Sequence, residues 1–188
     1  MRHRLLALLT CTAALSLSTT FAIAAEPQAP MQMDKPGEPP ASPAAKAAVT
    51  LNGKAITINY GSPRMRGRKI MGTLVPYGEV WRVGANDATT LVTPVNLKIG
   101  TLDVPAGTYT LFALPNKDKW LFIVSKKTGE WGIPYPEGND LGRTPMTGKT
   151  LSSPQENMSI SFANTKGPAT ELHVKWENTD QYVPVTAK

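Results

Sequence analysis

The sequence predicts an all-β fold, an antiparallel β-sandwich or partly open barrel, and three observations carry that expectation. Between residues 47 and 188 the apolar positions recur at every second residue, the period of a half-buried strand, not at helical spacing. The 15 glycines and 17 prolines fall between these runs as turn punctuation. Beyond the first 25 residues no segment sustains an apolar helical stripe for three turns.

Taken in order, the chain begins with an export signal over residues 1–25. Arg2, His3 and Arg4 form a basic start, Leu5–Leu17 an apolar run, and Ala22-Ile23-Ala24 a small-residue cleavage site, with cutting expected after Ala24 or Ala25. A membrane-spanning helix needs roughly 20 apolar residues. This run is shorter and is broken by Thr10, Thr12, Ser16 and Ser18, so no transmembrane segment is expected in the mature chain. Cys11 follows Thr10 where a lipoprotein signal wants a small residue, which argues against a lipid anchor. The expected location is the periplasm or the medium. With Cys11 removed the mature chain holds no cysteine, and disulfides and thiolate sites are excluded.

Residues 26–46 carry Pro27, Pro30, Pro36, Pro39, Pro40 and Pro43 among alanines and polar residues. Such a segment cannot bury enough apolar surface to offset its ordering entropy, and it reads as a disordered Pro/Ala-rich linker. Residues 47–188 then form the single domain, long enough to bury about two thirds of its unfolded surface.

Within the domain, Asn52-Gly53 is a strong hairpin signal and should join Val49–Leu51 to Ala55–Tyr60, where Ile56, Ile58 and Tyr60 alternate with Thr57 and Asn59. Leu91, Thr93, Val95, Leu97 and Ile99 share one face of a long strand, with Pro94 marking an edge or bulge because it cannot donate to a ladder. Thr108–Leu114 and Trp120–Ser125 continue as a meander. Shorter strands are expected at Leu141–Met146 and Met158–Ala163. In the last, Leu172, Val174 and Trp176 should point inward and His173 outward.

Composition narrows the function. Loss of Arg2 and Arg4 lowers Lys plus Arg from 20 to 18 against 14 acids, a net charge of +4, and no basic stripe interleaved with aromatics accompanies it. Nucleic acid is therefore not an expected partner. With His173 the one remaining histidine, a multi-histidine metal site and a Ser-His-Asp triad are both disfavoured, and no metal or cofactor is expected. Phosphate-loop, dinucleotide-binding and nucleophile-elbow motifs are absent from the sequence.

The densest polar segment is Leu74–Thr90. Its first reading is structural, with Trp81 in the core and Arg82 pairing with Glu79 or Asp87 or bonding loop carbonyls. Its second reading is a ligand pocket of Trp81, Arg82, Asn86, Asp87 and Glu79, in which Gly84 lets a small polar molecule approach the backbone. Trp131, Tyr135, Asp140 and Arg143 form a secondary candidate, read first as core and loop packing and second as a platform for sugar faces. Asn86 with Asp87, or Asn139 with Asp140, offer oxygens to calcium without the spacing of an EF-hand. Arg64–Lys69 reads as a solvated basic loop, with phosphate contact as the alternative.

Several strings together resemble a known family. They are Arg68-Lys69-Ile70-Met71-Gly72, the run Val75–Asn86, and Pro105–Phe112, followed by Trp131-Gly132, Asp140-Leu141-Gly142-Arg143 and Trp176-Glu177. The pattern resembles an exported bacterial family classed only as a domain of unknown function, with Val83 standing where a small polar residue such as threonine is expected. The resemblance implies an exported single-domain β protein and brings no catalytic residue with it. The resulting expectation is a non-catalytic binding or structural domain of the bacterial envelope, with a small polar ligand, a glycan or another envelope protein as partner. A glycosidase-like hydrolase using two of Glu79, Asp87, Asp140, Glu156 and Glu171 is the alternative.

Overall fold

Ten strands build two antiparallel sheets in the computed structural model, which describes residues 41–188. The export signal, Cys11 and linker residues 26–40 lie outside the described residues. The strands are β1 Ala44–Leu51, β2 Lys54–Gly61, β3 Thr90–Thr93, β4 Leu97–Ile99, β5 Leu102–Val104, β6 Gly107–Leu114, β7 Leu121–Ser125, β8 Asp140–Pro145, β9 Thr147–Lys166 and β10 Ala169–Ala187. One sheet has the order β1-β2-β3-β6-β7-β8 and the other β5-β4-β10-β9. Their inner faces meet over Ile56, Ile58, Leu91, Leu111, Phe122 and Val124 from the first sheet and Leu97, Ile99, Val174, Trp176 and Val183 from the second. This is a sandwich, with no helix among the described residues.

The β1–β2 hairpin turns at Asn52 and Gly53, whose φ of 48° and 70° are the positive values this turn demands. Strand β1 starts at Ala44, so the last three residues assigned to the linker are ordered. Ala44, Ala45 and Lys46 carry no apolar signal, but each pairs with a residue of β2, and backbone bonding extends the strand where side chains do not.

The expected long strand over Leu91–Ile99 is two strands in different sheets. The chain leaves the first sheet after Thr93, and the Thr93 hydroxyl bridges the bend by donating to the Val95 carbonyl at 2.6 Å. Pro94, lacking an amide hydrogen, sits where the ladder stops. The last two strands are far longer than expected, and β9 is almost wholly exposed over its first half. Their pairing runs from Ala169–Lys166 to Tyr182–Thr147 with register shifts on both sides of Glu177. Those shifts bend the ribbon, as bulges do.

His173 does not face solvent; it is 4% exposed. Beyond the bend, Asp180 and Tyr182 come back over it. His173 Nδ1 lies 2.8 Å from Asp180 Oδ1, and the imidazole stacks on the Tyr182 ring at 5.0 Å.

A cluster of three tryptophans fixes the middle of the sandwich. Trp81 stacks on Trp176 at 6.0 Å with 22° between planes and meets the edge of Trp120 at 6.3 Å. Trp81 also exchanges two backbone hydrogen bonds with Ala113, each 2.8 Å, and thereby adds one residue of sheet beside β6. Next to Trp176, Glu177 has a φ of 53°, and its carboxylate accepts the amides of Ile70 at 3.3 Å and Met71 at 2.9 Å. The Trp176-Glu177 pair therefore grips the irregular segment between β2 and β3 at two places.

Replacing Glu177 by Ala leaves two partly buried amides without an acceptor, each such loss costing about 1–3 kcal/mol. The expected outcome is a stability, read from urea denaturation, lowered by about 2 kcal/mol or more, with faster hydrogen exchange at Ile70 and Met71. Unchanged protection of those two amides would show that the carboxylate does not hold the segment.

Candidate functional site

The outer face of the six-stranded sheet is where the two groups of site residues meet. Strand register sets Lys46, Asn59, Thr90, Thr110, Ser125 and Asp140 side by side across all six strands, making a polar row on the face opposite Ile58, Leu91, Leu111 and Val124. Phe112, Ile123 and Arg143 form the adjoining row. Alternation along the extended run at Trp81 places Trp81 and Val83 in the core and Arg82 outside, next to Phe112.

Residues 126–139 cover this face. Their ends are tied by the Lys126 amide to the Asn139 carbonyl at 2.8 Å, and the Ala88 amide reaches the Glu130 carbonyl at 3.3 Å. Gly132, at φ 81°, lies directly on the sheet: a Cβ there would be 3.2 Å from Ala88 Cβ and 3.4 Å from both Arg82 Cβ and Phe112. Because this glycine makes the close contact, its neighbour Trp131 is turned outward and is 50% exposed. The expectation that Trp131 packs in the core is thus corrected. Tyr135 does pack, meeting Phe112 edge-on at 5.0 Å.

Each arginine of the face stands over one aromatic of the cover. Arg82 donates from Nη1 to the Trp131 carbonyl at 2.9 Å, and its guanidinium lies 4.9 Å from the Trp131 ring. Burial pushes the Arg82 guanidinium pKa down, while the charge of Asp87 opposes that shift. Arg143 donates from Nε to Asp140 Oδ2 at 2.7 Å and from Nη2 to the Tyr135 hydroxyl oxygen at 3.2 Å, with its guanidinium 5.9 Å from that ring. Its pKa is raised, chiefly by the bond to Asp140. The Tyr135 hydroxyl in turn donates a short hydrogen bond to Asp140 Oδ1. Burial, then that bond and the charge of Asp140, push the phenol up to about 12.

Two clefts open on this surface. One, of about 400 Å3, is lined by Gly78, Val80, Leu114, Tyr135, Glu137, Gly138 and Arg143. The other, of about 410 Å3, lies at the β1–β2 margin against Ala85, Asn86, Asp87 and Ala88.

A family described as "Protein of unknown function (DUF2911)" matches residues 42–185. The chain belongs to the DUF2911 family. No match was found among curated proteins or among solved structures. The match spans every element of the sandwich from β1 to Val185 of β10.

The DUF2911 domain brings Arg82 together with Trp131 and Tyr135 together with Asp140 and Arg143, and divides the rest. Trp81 faces the core, so the aromatic surface beside Arg82 is Trp131. Asn86 and Asp87 line the other cleft, where Asn86 Nδ2 donates to the Ser42 carbonyl at 3.0 Å. Glu79 is exposed and bonds to neither arginine among the described residues. Asn139 donates to the carbonyls of Pro136 and Glu137, and among the described residues no three of His, Cys, Asp or Glu converge as a metal cage would. In the basic loop, Arg68 bonds the carbonyls of Met65 at 3.0 Å and Arg64 at 2.8 Å, which folds the run on itself.

Sequence reading missed Thr110 and Ser125 beneath the cover and Glu130 within it. Ser125 donates to the Asn139 carbonyl at 3.4 Å, whereas the Thr110 hydroxyl and Glu130 Oε1 are buried with no hydrogen-bond partner among the described residues. The signal for Thr110 and Ser125 was a polar residue on a strand whose other face is apolar; Glu130, on the cover segment, had none. It also missed the partners of His173, whose two ring nitrogens meet Asp180 at 2.8 Å and Glu171 at 3.2 Å. With both nitrogens taken by carboxylates, this imidazole has none left to activate a hydroxyl nucleophile.

Val83 is buried at φ 50°, an uncommon conformation for a β-branched residue. The Thr89 hydroxyl, donating to the Val83 carbonyl at 2.8 Å, holds the turn that carries Arg82 outward and Gly84 inward.

The Tyr135 phenol is held neutral in the fold, its pKa of about 12 lying above the ordinary 10.0. A group shifted up in this way contributes stability below its unfolded value and loses it as pH rises from there through the folded value. Spectrophotometric titration of the native protein should show one phenol ionising near pH 12. Asp140→Asn should move that step downward; a titration indistinguishable from wild type would refute the coupling.

Proposed function

We propose that this DUF2911 domain is an exported, non-catalytic binding module of the bacterial envelope that recognises a glycan on the covered face of its six-stranded sheet. The observation that carries the reading is Trp131. It is half exposed, fixed by its own carbonyl bond to Arg82 and by the guanidinium over its ring, and followed by the polar cluster of Tyr135, Asp140 and Arg143, of which Tyr135 and Arg143 line a cleft of about 400 Å3. Sugar rings present an apolar C–H face and a rim of hydroxyls. An exposed indole suits the first, and fixed guanidinium, carboxylate and phenol groups suit the second.

Export is supported by the leader at Arg2–Ala24, and no helix among the described residues is long and apolar enough to cross a membrane. The arrangement favours a neutral ligand over an anion, because Arg143 is already neutralised by Asp140 at 2.7 Å. The hydrolase alternative requires two carboxylates converging in a cleft with one held protonated. Asp140 is instead bonded through both oxygens, to Arg143 and Tyr135, and no observation favours that reading.

The test is binding of neutral oligosaccharides, namely cellotetraose, xylotetraose and chitotetraose, followed by tryptophan fluorescence and calorimetry. At least one should bind, and Trp131→Ala should weaken it about tenfold, equivalent to about 1.4 kcal/mol, with an unchanged melting temperature. Absence of binding to all three, or an unaffected Trp131→Ala variant, contradicts the proposal.

A further inference from the structure

The cleft at the β1–β2 margin is independent of the glycan site in its lining and in its chemistry. Its volume of about 410 Å3 is that of a small-molecule site. A Cβ at Gly61 would stand 2.1 Å from the Ala85 carbonyl oxygen, so glycine lets the Ala85 main chain pack directly on the end of β2, and both residues line the cleft. Along the cleft stand one cation, Lys46, one anion, Asp87, and two amides, Asn59 and Asn86.

The two charges share the cleft without meeting. Neither Lys46 nor Asp87 forms an ion pair with any described residue, although the charge of Asp87 also acts on the Arg82 guanidinium beyond contact distance. Asn86 is held in place by its own Nδ2, which donates to the Ser42 carbonyl at 3.0 Å, and its Oδ1 is left to accept. Asn59 is exposed on the row that begins with Lys46, its direct cross-strand partner. One end of the cleft thus offers an ammonium beside an amide, the other a carboxylate beside an amide oxygen. Unpaired opposite charges lining one cleft are complementary to a molecule that carries both charges itself.

We propose that this cleft binds a small zwitterion of the amino-acid or short-peptide class, its carboxylate at Lys46 and Asn59 and its ammonium at Asp87 and Asn86. The ligand needs both free termini, since each charged residue would otherwise face a neutral group.

The experiment is calorimetric titration of the full chain with L-alanyl-L-alanine and with its N-acetylated and C-amidated forms. The free dipeptide should bind, and each cap should weaken it roughly tenfold or more. Lys46→Met should abolish the penalty for amidation, and Asp87→Asn the penalty for acetylation. Both positions are exposed, so the variants fold. Trp131→Ala should leave dipeptide binding unchanged, which separates this site from the glycan face. No binding of the free dipeptide, equal binding of the capped forms, or variants that keep both penalties would overturn the assignment.

Discussion

The stacking of Trp81 on Trp176 is the contact that the rest of this domain depends on. Between β2 and β3 the chain runs through an irregular segment with three isolated bridges, from Arg64 to Asn157 of β9, from Met71 to Val75, and from Trp81 to Ala113 of β6. A connection of that length inside a compact domain is unusual and needs anchors of its own. Trp81 provides one, closing onto Trp176 and Trp120 while its backbone extends the sheet at Ala113. Glu177 provides the second by accepting two amides of the same segment. Both anchors sit at the bulge of β10, so the bend in the longest ribbon and the path of the most irregular segment are parts of one arrangement.

The consequence for the surface follows from strand alternation. Once Trp81 is committed to the core, Arg82 must face the other way, and it meets the cover segment at Gly132 and Trp131. The same cover brings Tyr135 over Phe112 and into the Asp140–Arg143 pair. A buried glycine at 132 thus decides the exposure of a tryptophan at 131. The polar row from Lys46 to Asp140 passes beneath that cover and ends in charged groups, Lys46 at one cleft and Asp140 bonded to Arg143, which lines the other.

Much of this was legible in the sequence where periodicity and packing coincide. The β1–β2 hairpin shows alternation around a turn dipeptide, and β6 and β7 are β-branched and aromatic runs bounded by turn residues; the sandwich class follows from them. Alternation also misled: Leu91–Ile99 keeps its period through Pro94, so only the missing amide of that proline marks the change of sheet. The first half of β9 has no apolar face and is held by backbone pairing, which leaves no trace in side-chain pattern. His173 was misplaced because burial on the second face of β10 comes from Asp180 and Tyr182 beyond a bulge. For the candidate site, the sequence singled out Arg82, Trp131, Tyr135, Asp140 and Arg143 by residue type alone. Their grouping was hidden, because Arg82 and Trp131 are 49 residues apart and joined only by tertiary contact.

Core anchor and surface group are adjacent in the chain, and their roles separate cleanly in a denaturation experiment. Trp81→Ala removes the centre of the tryptophan cluster, and Arg82→Ala removes one guanidinium whose bond is to an exposed loop. Paired urea denaturation of the two variants is the most direct measurement. The account predicts a loss of about 3 kcal/mol or more for Trp81→Ala and about 1 kcal/mol or less for Arg82→Ala, the second variant remaining folded. An Arg82→Ala variant that unfolds, or a Trp81→Ala variant as stable as wild type, would contradict it.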